Sequence, residues 1–148
     1  MKEKIYSFLI PLTFIVSTNN RLIYNRHGKV MLTDEARHEK REINNYLKSS
    51  YPQDMMADLR GSKLSITIFY FLKTSYGARD LDNLEKTSID GIFKYFKLND
   101  NTVVNKVTSK RRVSYSDTEY ILYRFTKLPD DSKIEYTKDE VLSLVGGS

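Results

Sequence analysis

The chain has 148 residues, 40% of them hydrophobic and 29% charged, which suits one soluble domain with a single core. It contains no cysteine, so disulfides, thiolate metal sites and a cysteine nucleophile are excluded, and a reducing compartment is the natural fit. The net charge of +5 favours a polyanionic partner, nucleic acid ahead of a membrane surface.

In chain order, Ile5 to Val16 reads as a first strand, with Pro11 suiting an edge or a bend. The run is too short to span a bilayer, and no small-residue cleavage site follows it, so a strand explains it better than a signal peptide. Ser17-Thr18-Asn19-Asn20-Arg21 is a turn, because short polar side chains bond to nearby backbone. Two short apolar runs around Gly28 then suggest a hairpin or an ordered loop, with Arg21, Arg26 and Lys29 available to phosphates or to solvent. Thr33 is a natural N-cap for a helix reaching about Ser49, with Asp34 and Glu35 in its first turn. Pro52 ends that segment, and 53–62 is a polar connection.

Lys63 to Phe71 is rich in β-branched and aromatic residues and reads as a central strand. From Asp82 to Tyr95 the pattern is helical, with Leu84, Ile89, Ile92, Phe93 and Phe96 near a 3.6-residue period. A turn at 97–101 leads to a strand over Thr102–Lys110, which Arg111 and Arg112 extend as a basic run suited to a phosphate track. Tyr120–Thr126 is a further strand. Thr137 with Glu140 three residues later is a capping box, opening a short helix with Val141, Leu144 and Val145. Gly146-Gly147-Ser148 is a frayed tail. No repeat, low-complexity tract or linker divides the chain, so 1–148 is expected to be one domain, with 135–148 an extra C-terminal helix and tail.

The chemistry concentrates between Arg79 and Asp100. Asp80 and Asp82 are two apart, so extended backbone directs both to one side. Asp82, Lys86 and Asp90 are spaced i, i+4, i+8 and form a polar stripe on the helix. An N-capping Asp with a Lys one turn later is also common on ordinary solvated helices. A third acid, Asp100, adds what a hard divalent cation needs, since such ions take oxygen ligands and share several carboxylates. His27 and His38 lack a partner at ligand spacing and read as surface residues. No Ser-His-Asp arrangement and no Gly-rich phosphate loop is legible. Of the eleven tyrosines, some suit stacking on unpaired bases and most suit packing.

These residues resemble the RusA family of Holliday junction resolvases. The matching features are the Ser17-Thr18-Asn19-Asn20-Arg21 turn after the first strand, the block Asp80-x-Asp82-Asn83-x-x-Lys86 with Asp90 four residues on, and Asp100 followed by Lys110. The order runs from about Ile10 to Lys110. One departure is Asn99, where the family usually has the first of two consecutive Asp. The resemblance implies a compact α/β fold of the α+β type, a small mixed sheet with helices packed on it, and a homodimer. It implies Mg²⁺- or Mn²⁺-dependent cutting of four-way DNA junctions in recombination and repair. Asp80, Asp82 and Asp100 would be the metal ligands and Lys86 a catalytic cation. Asn19, Asn20, Arg21, Arg79 and Lys110 would contact DNA, without any membrane partner. The expected setting is the cytoplasm of a bacterial or phage-infected cell. Two rivals stay open: a nuclease for flaps or branched DNA without strict junction selectivity, and a basic DNA-binding module whose acids serve only as helix caps.

Overall fold

The structure, a computed structural model, describes residues 4–11, 22–24, 30–32, 34–73, 82–114, 119–129 and 131–145. Of 22–24, 30–32, 35–36 and 82–87 it describes the backbone alone. Its elements are β1 (Ile5–Pro11), β2 (Leu22–Tyr24), β3 (Val30–Leu32), α1 (Asp34–Ser50), β4 (Leu64–Leu72), α2 (Asp82–Phe96), β5 (Val103–Arg112), β6 (Tyr120–Lys127) and α3 (Lys138–Val145). Short 3₁₀ turns at Ala57–Leu59 and Asp100–Thr102 precede β4 and β5.

The main sheet has the order β1-β6-β4-β5, mixed and open. β6 runs antiparallel to both β1 and β4, whereas β4 and β5 are parallel and joined through α2. This is the α+β arrangement expected from the sequence, and β4 is central. β2 and β3 form a separate antiparallel hairpin, with Leu22 opposite Leu32. The expected tip at Gly28, the cap at Thr33 and the continuation of β1 past Pro11 lie outside the described residues.

Strand alternation creates the core. In β4, Leu64, Ile66, Ile68, Tyr70 and Leu72 are buried, and the residues between them are half-buried on the other face. The register aligns Phe8 with Tyr123 and Tyr123 with Ile68, and Ile10 with Ile121 and Ile121 with Tyr70. These rows line one face. There α1 adds Ile43 and Leu47, and α2 adds Ile92, Phe93 and Phe96. Phe8 binds the layers together, its ring centroid 5.4 Å from those of both Phe96 and Tyr123.

The end of α2 is sharply made. Lys97 adopts the left-handed conformation with φ 56°. Its N–H donates to the Lys94 carbonyl at 3.3 Å, and the Leu98 N–H donates to the Phe93 carbonyl at 2.9 Å. This is a Schellman stop. Arg60 Nε donates to the Phe96 carbonyl at 3.1 Å, placing a cation at the negative end of the helix dipole. The helix therefore ends at one level, and β5 begins a few residues later.

α3 confirms its capping box: the Thr137 N–H donates to Glu140 Oε1 at 3.1 Å, and the Glu140 N–H donates to Thr137 Oγ1 at 3.2 Å. It buries none of its residues.

Candidate active site

Of the residues proposed from the sequence, Asp82, Lys86, Asp90, Asp100 and Lys110 belong to the α2–β5 part of the fold. Asn19, Asn20, Arg21, Arg79 and Asp80 lie outside the described residues. Asp82 is the first residue of α2 and Lys86 lies one turn further on, both described in backbone. Asp90 is exposed on the same helix. Asp100 is exposed and opens the 3₁₀ turn before β5. Lys110 is half-buried near the end of β5, opposite Tyr70.

Three contacts fix how α2 lies on the sheet. Tyr123, level with Ile68, donates its hydroxyl hydrogen to Ser88 Oγ at 2.8 Å. Phe93 meets Phe125, level with Ile66, edge-on at 5.8 Å. Past the helix end, Val103 pairs with Leu64. So α2 runs antiparallel to β4. Asp82 is six residues before Ser88, about 9 Å further toward the Leu72 end. That end of β5 carries Lys110, Arg111 and Arg112, opposite Tyr70, Phe71 and Leu72.

Asp100 stands at the other end, beside Leu64. Fifteen residues of helix span about 20 Å. Two aspartate side chains fall far short of bridging that distance to an ion that keeps its oxygens at about 2.1 Å. A single chain holds Asp82 and Asp100 apart, contrary to the convergence suggested by their spacing in sequence. Among the described residues no group of three acids or histidines could hold a metal ion. Asp80 and the side chain of Asp82 are not among those described.

The site also differs from expectation at the basic run. Strand alternation splits it: Lys106, Lys110 and Arg112 share the face that carries α2, paired with Ile66, Tyr70 and Leu72. Arg111 turns to the opposite face, its guanidinium 5.6 Å from the centre of the Phe69 ring. Lys106 was not singled out from the sequence, although a period of two from Lys110 would have found it. The start of α2, the positive end of its helix dipole, lies at the same end of the sheet as Lys110 and Arg112. That end thus brings the two strand cations together with the acidic start of α2.

Asn99 has a structural part. It is the N-cap of the 3₁₀ turn, its side-chain oxygen accepting the Asn101 N–H at 3.0 Å. An Asp would accept the same bond, so the exchange at this position leaves the turn intact and Asp100 in place.

The model of the family described as endodeoxyribonuclease RusA matches residues 13–119. The chain belongs to the RusA endodeoxyribonuclease family. The match covers β2 to β5 and every candidate residue from Asn19 to Lys110. RusA proteins are nuclease hydrolases, which agrees with the acidic block and the cationic end of the sheet. A comparison with curated proteins finds no match. β6, apart from its approach, and α3 fall beyond the RusA match.

Proposed function

We propose that the chain cuts four-way DNA junctions by paired symmetric nicks, as a homodimer using Mg²⁺ or Mn²⁺. The RusA match over the Asp80-x-Asp82-Asn83 block, Lys86 and Asp100 carries this reading. The donor set suits a hard cation, being three carboxylates with no sulfur or imidazole among them. Because α2 separates Asp82 from Asp100 within one chain, the ligand set is completed between copies: Asp80 and Asp82 of one with Asp100 of the other. A two-fold dimer makes two such sites, which matches two symmetric cuts.

A bound cation would supply Lewis acidity and an activated water. The chain's own groups do the rest. Lys86 neutralises a non-bridging phosphate oxygen as charge grows on it. Lys110 and Arg112 hold the backbone at the end of the sheet where α2 begins, and Asn19, Asn20, Arg21 and Arg79 add further contacts. Asp90, four residues from Lys86, orients it. The setting is recombination and repair in the cytoplasm of a bacterial or phage-infected cell.

Mixing two inactive variants tests this arrangement. Asp82→Asn and Asp100→Asn should each abolish Mg²⁺-dependent nicking of a synthetic four-way junction while leaving binding intact. If Asp100 acts across the dimer, a mixture regains single-strand nicking, because mixed dimers contain one site with both acids native. A mixture as dead as its parts would refute the shared site. Equal cutting of junction, flap and linear duplex would favour the less selective nuclease. Salt-sensitive binding without any cutting would favour the DNA-binding module.

A further inference from the structure

Two surfaces of this chain that carry apolar side chains lack a covering element among the described residues. One is the sheet face opposite α1 and α2. Its central row is Leu9, Leu122 and Phe69, and the next is Pro11, Tyr120 and Phe71. Leu9 is 39% exposed, and at the margins Ile5 and Val107 are 52% and 48% exposed. Phe69 and Phe71 stack with centroids 6.1 Å apart, and Arg111 and Arg124 lie over Phe69 at 5.6 and 5.8 Å. The aligned residues of the four strands put two arginines and no carboxylate on this face.

The other surface is α3. Leu142, Leu144 and Val145 are 57%, 71% and 79% exposed. A helix of eight residues is marginal in water on its own, and packing of an apolar face normally supports one so short. The segment 131–145 has the opposite charge balance to the sheet face: Asp131, Glu135, Asp139 and Glu140 against Lys133 and Lys138.

We propose that α3 of one copy lies across the open sheet face of a second copy, reciprocally, in the dimer. The dimensions agree: α3 is about 12 Å long, and four strands are about 14 Å across. The charges agree: Glu140 is held by Lys133, and Asp131, Glu135 and Asp139 of the same segment would meet Arg111 and Arg124. The direction agrees as well. α3 leaves the sheet from the end of β6, at the Leu64 and Asp100 end, since Lys127 pairs with Leu64. Joining Asp100 of one copy to Asp82 of the other sets that end against the Arg111 and Tyr120 end of its neighbour, which is where Phe71 and Phe69 lie. This inference rests on the paired-copy reading above. It assigns the region beyond the RusA match the task of holding two catalytic domains together.

The test is mass in solution, by sedimentation of the full chain. The native chain should have twice its 17.3 kDa mass. The double variant Leu142→Lys/Leu144→Lys, at two exposed positions, should fall to the single mass with unchanged circular dichroism. Because the chain is free of cysteine, Leu144→Cys mixed with Val107→Cys or with Leu9→Cys should give a disulfide-linked pair on mild oxidation. A dimer that survives the double lysine variant overturns the docking of α3 and leaves the dimeric nuclease standing. A native chain that is monomeric overturns both. If Val107→Glu weakens binding of single-stranded DNA and leaves the mass unchanged, the face belongs to nucleic acid and the proposal is overturned.

Discussion

Ser88 and Tyr123 meet at the centre of the core, the tyrosine hydroxyl donating to the serine oxygen at 2.8 Å with both side chains fully buried. The bond is a buried polar tie between α2 and β6, six residues along the helix from Asp82. Ser88→Ala removes the acceptor from a fully buried site. A cost of about 1–3 kcal/mol in denaturant unfolding is expected. The double variant Ser88→Ala/Tyr123→Phe should cost less than the sum of the single changes, because it leaves neither partner of the bond behind. Strict additivity would show that the bond contributes nothing.

Gly91 marks the close approach of α2 to α1. A Cβ built there would lie 3.4 Å from Ile43 Cγ2, an ordinary contact. Gly in a helix interior is about 0.5–1 kcal/mol worse than Ala. Gly91→Ala should therefore raise the unfolding midpoint, and Gly91→Leu should lower it by overpacking against Ile43. A destabilising Gly91→Ala would mean that the helices approach more closely than this.

Asp58 accepts the Tyr6 hydroxyl at 2.5 Å and faces Lys4 Nζ at 3.4 Å. The Tyr6 hydrogen bond, and after it Lys4, holds this carboxyl below its usual 3.8. The group is half-exposed, so its stabilising effect is well under 1 kcal/mol. A depressed carboxyl stabilises the fold above its unfolded pKa and loses that contribution as pH falls through the folded one. Tyr6→Phe should move the Asp58 midpoint upward in an NMR titration and slightly flatten the loss of stability below pH 4, because the folded and unfolded carboxyls then titrate closer together. An unmoved midpoint would assign the shift to Lys4.

The fold was legible where one segment carries its own pattern. β4 announced itself through KLSITIFYF, α2 through its period, and α3 through Thr137 and Glu140. Strand order was not legible, since it depends on β6 inserting between β1 and β4, a pairing of residues over a hundred positions apart. For the same reason the open face could not be seen: Leu9, Leu122 and Phe69 become neighbours only in the sheet. The relation of Asp82 to Asp100 misleads in a different way. Eighteen residues is a short distance along a flexible chain, but α2 makes most of it a rod, and a rod keeps its ends apart. Multiplying the helix length by its rise would have exposed this beforehand. Lys110, Arg111 and Arg112 read as one basic run, yet a strand sends alternate residues to opposite faces.

That alternation makes three adjacent cations separable by experiment. Lys110 and Arg112 share the α2 face at the end where the helix begins, and Arg111 lies over Phe69 on the other side. Phosphates held beside the start of α2 would meet the first two and not the third. Lys110→Ala and Arg112→Ala should each weaken junction binding and lower the slope of log K against log salt by about 1, the signature of one lost phosphate contact. Arg111→Ala should leave that slope unchanged and act on dimer mass, since it removes a cation facing the acids of α3. Salt titrations of junction binding at low and moderate ionic strength measure the first effect, and sedimentation the second. If Arg111→Ala flattened the salt slope as much as Arg112→Ala, DNA would be tracking the outer sheet face, and the cationic end beside α2 would lose its claim to the phosphates.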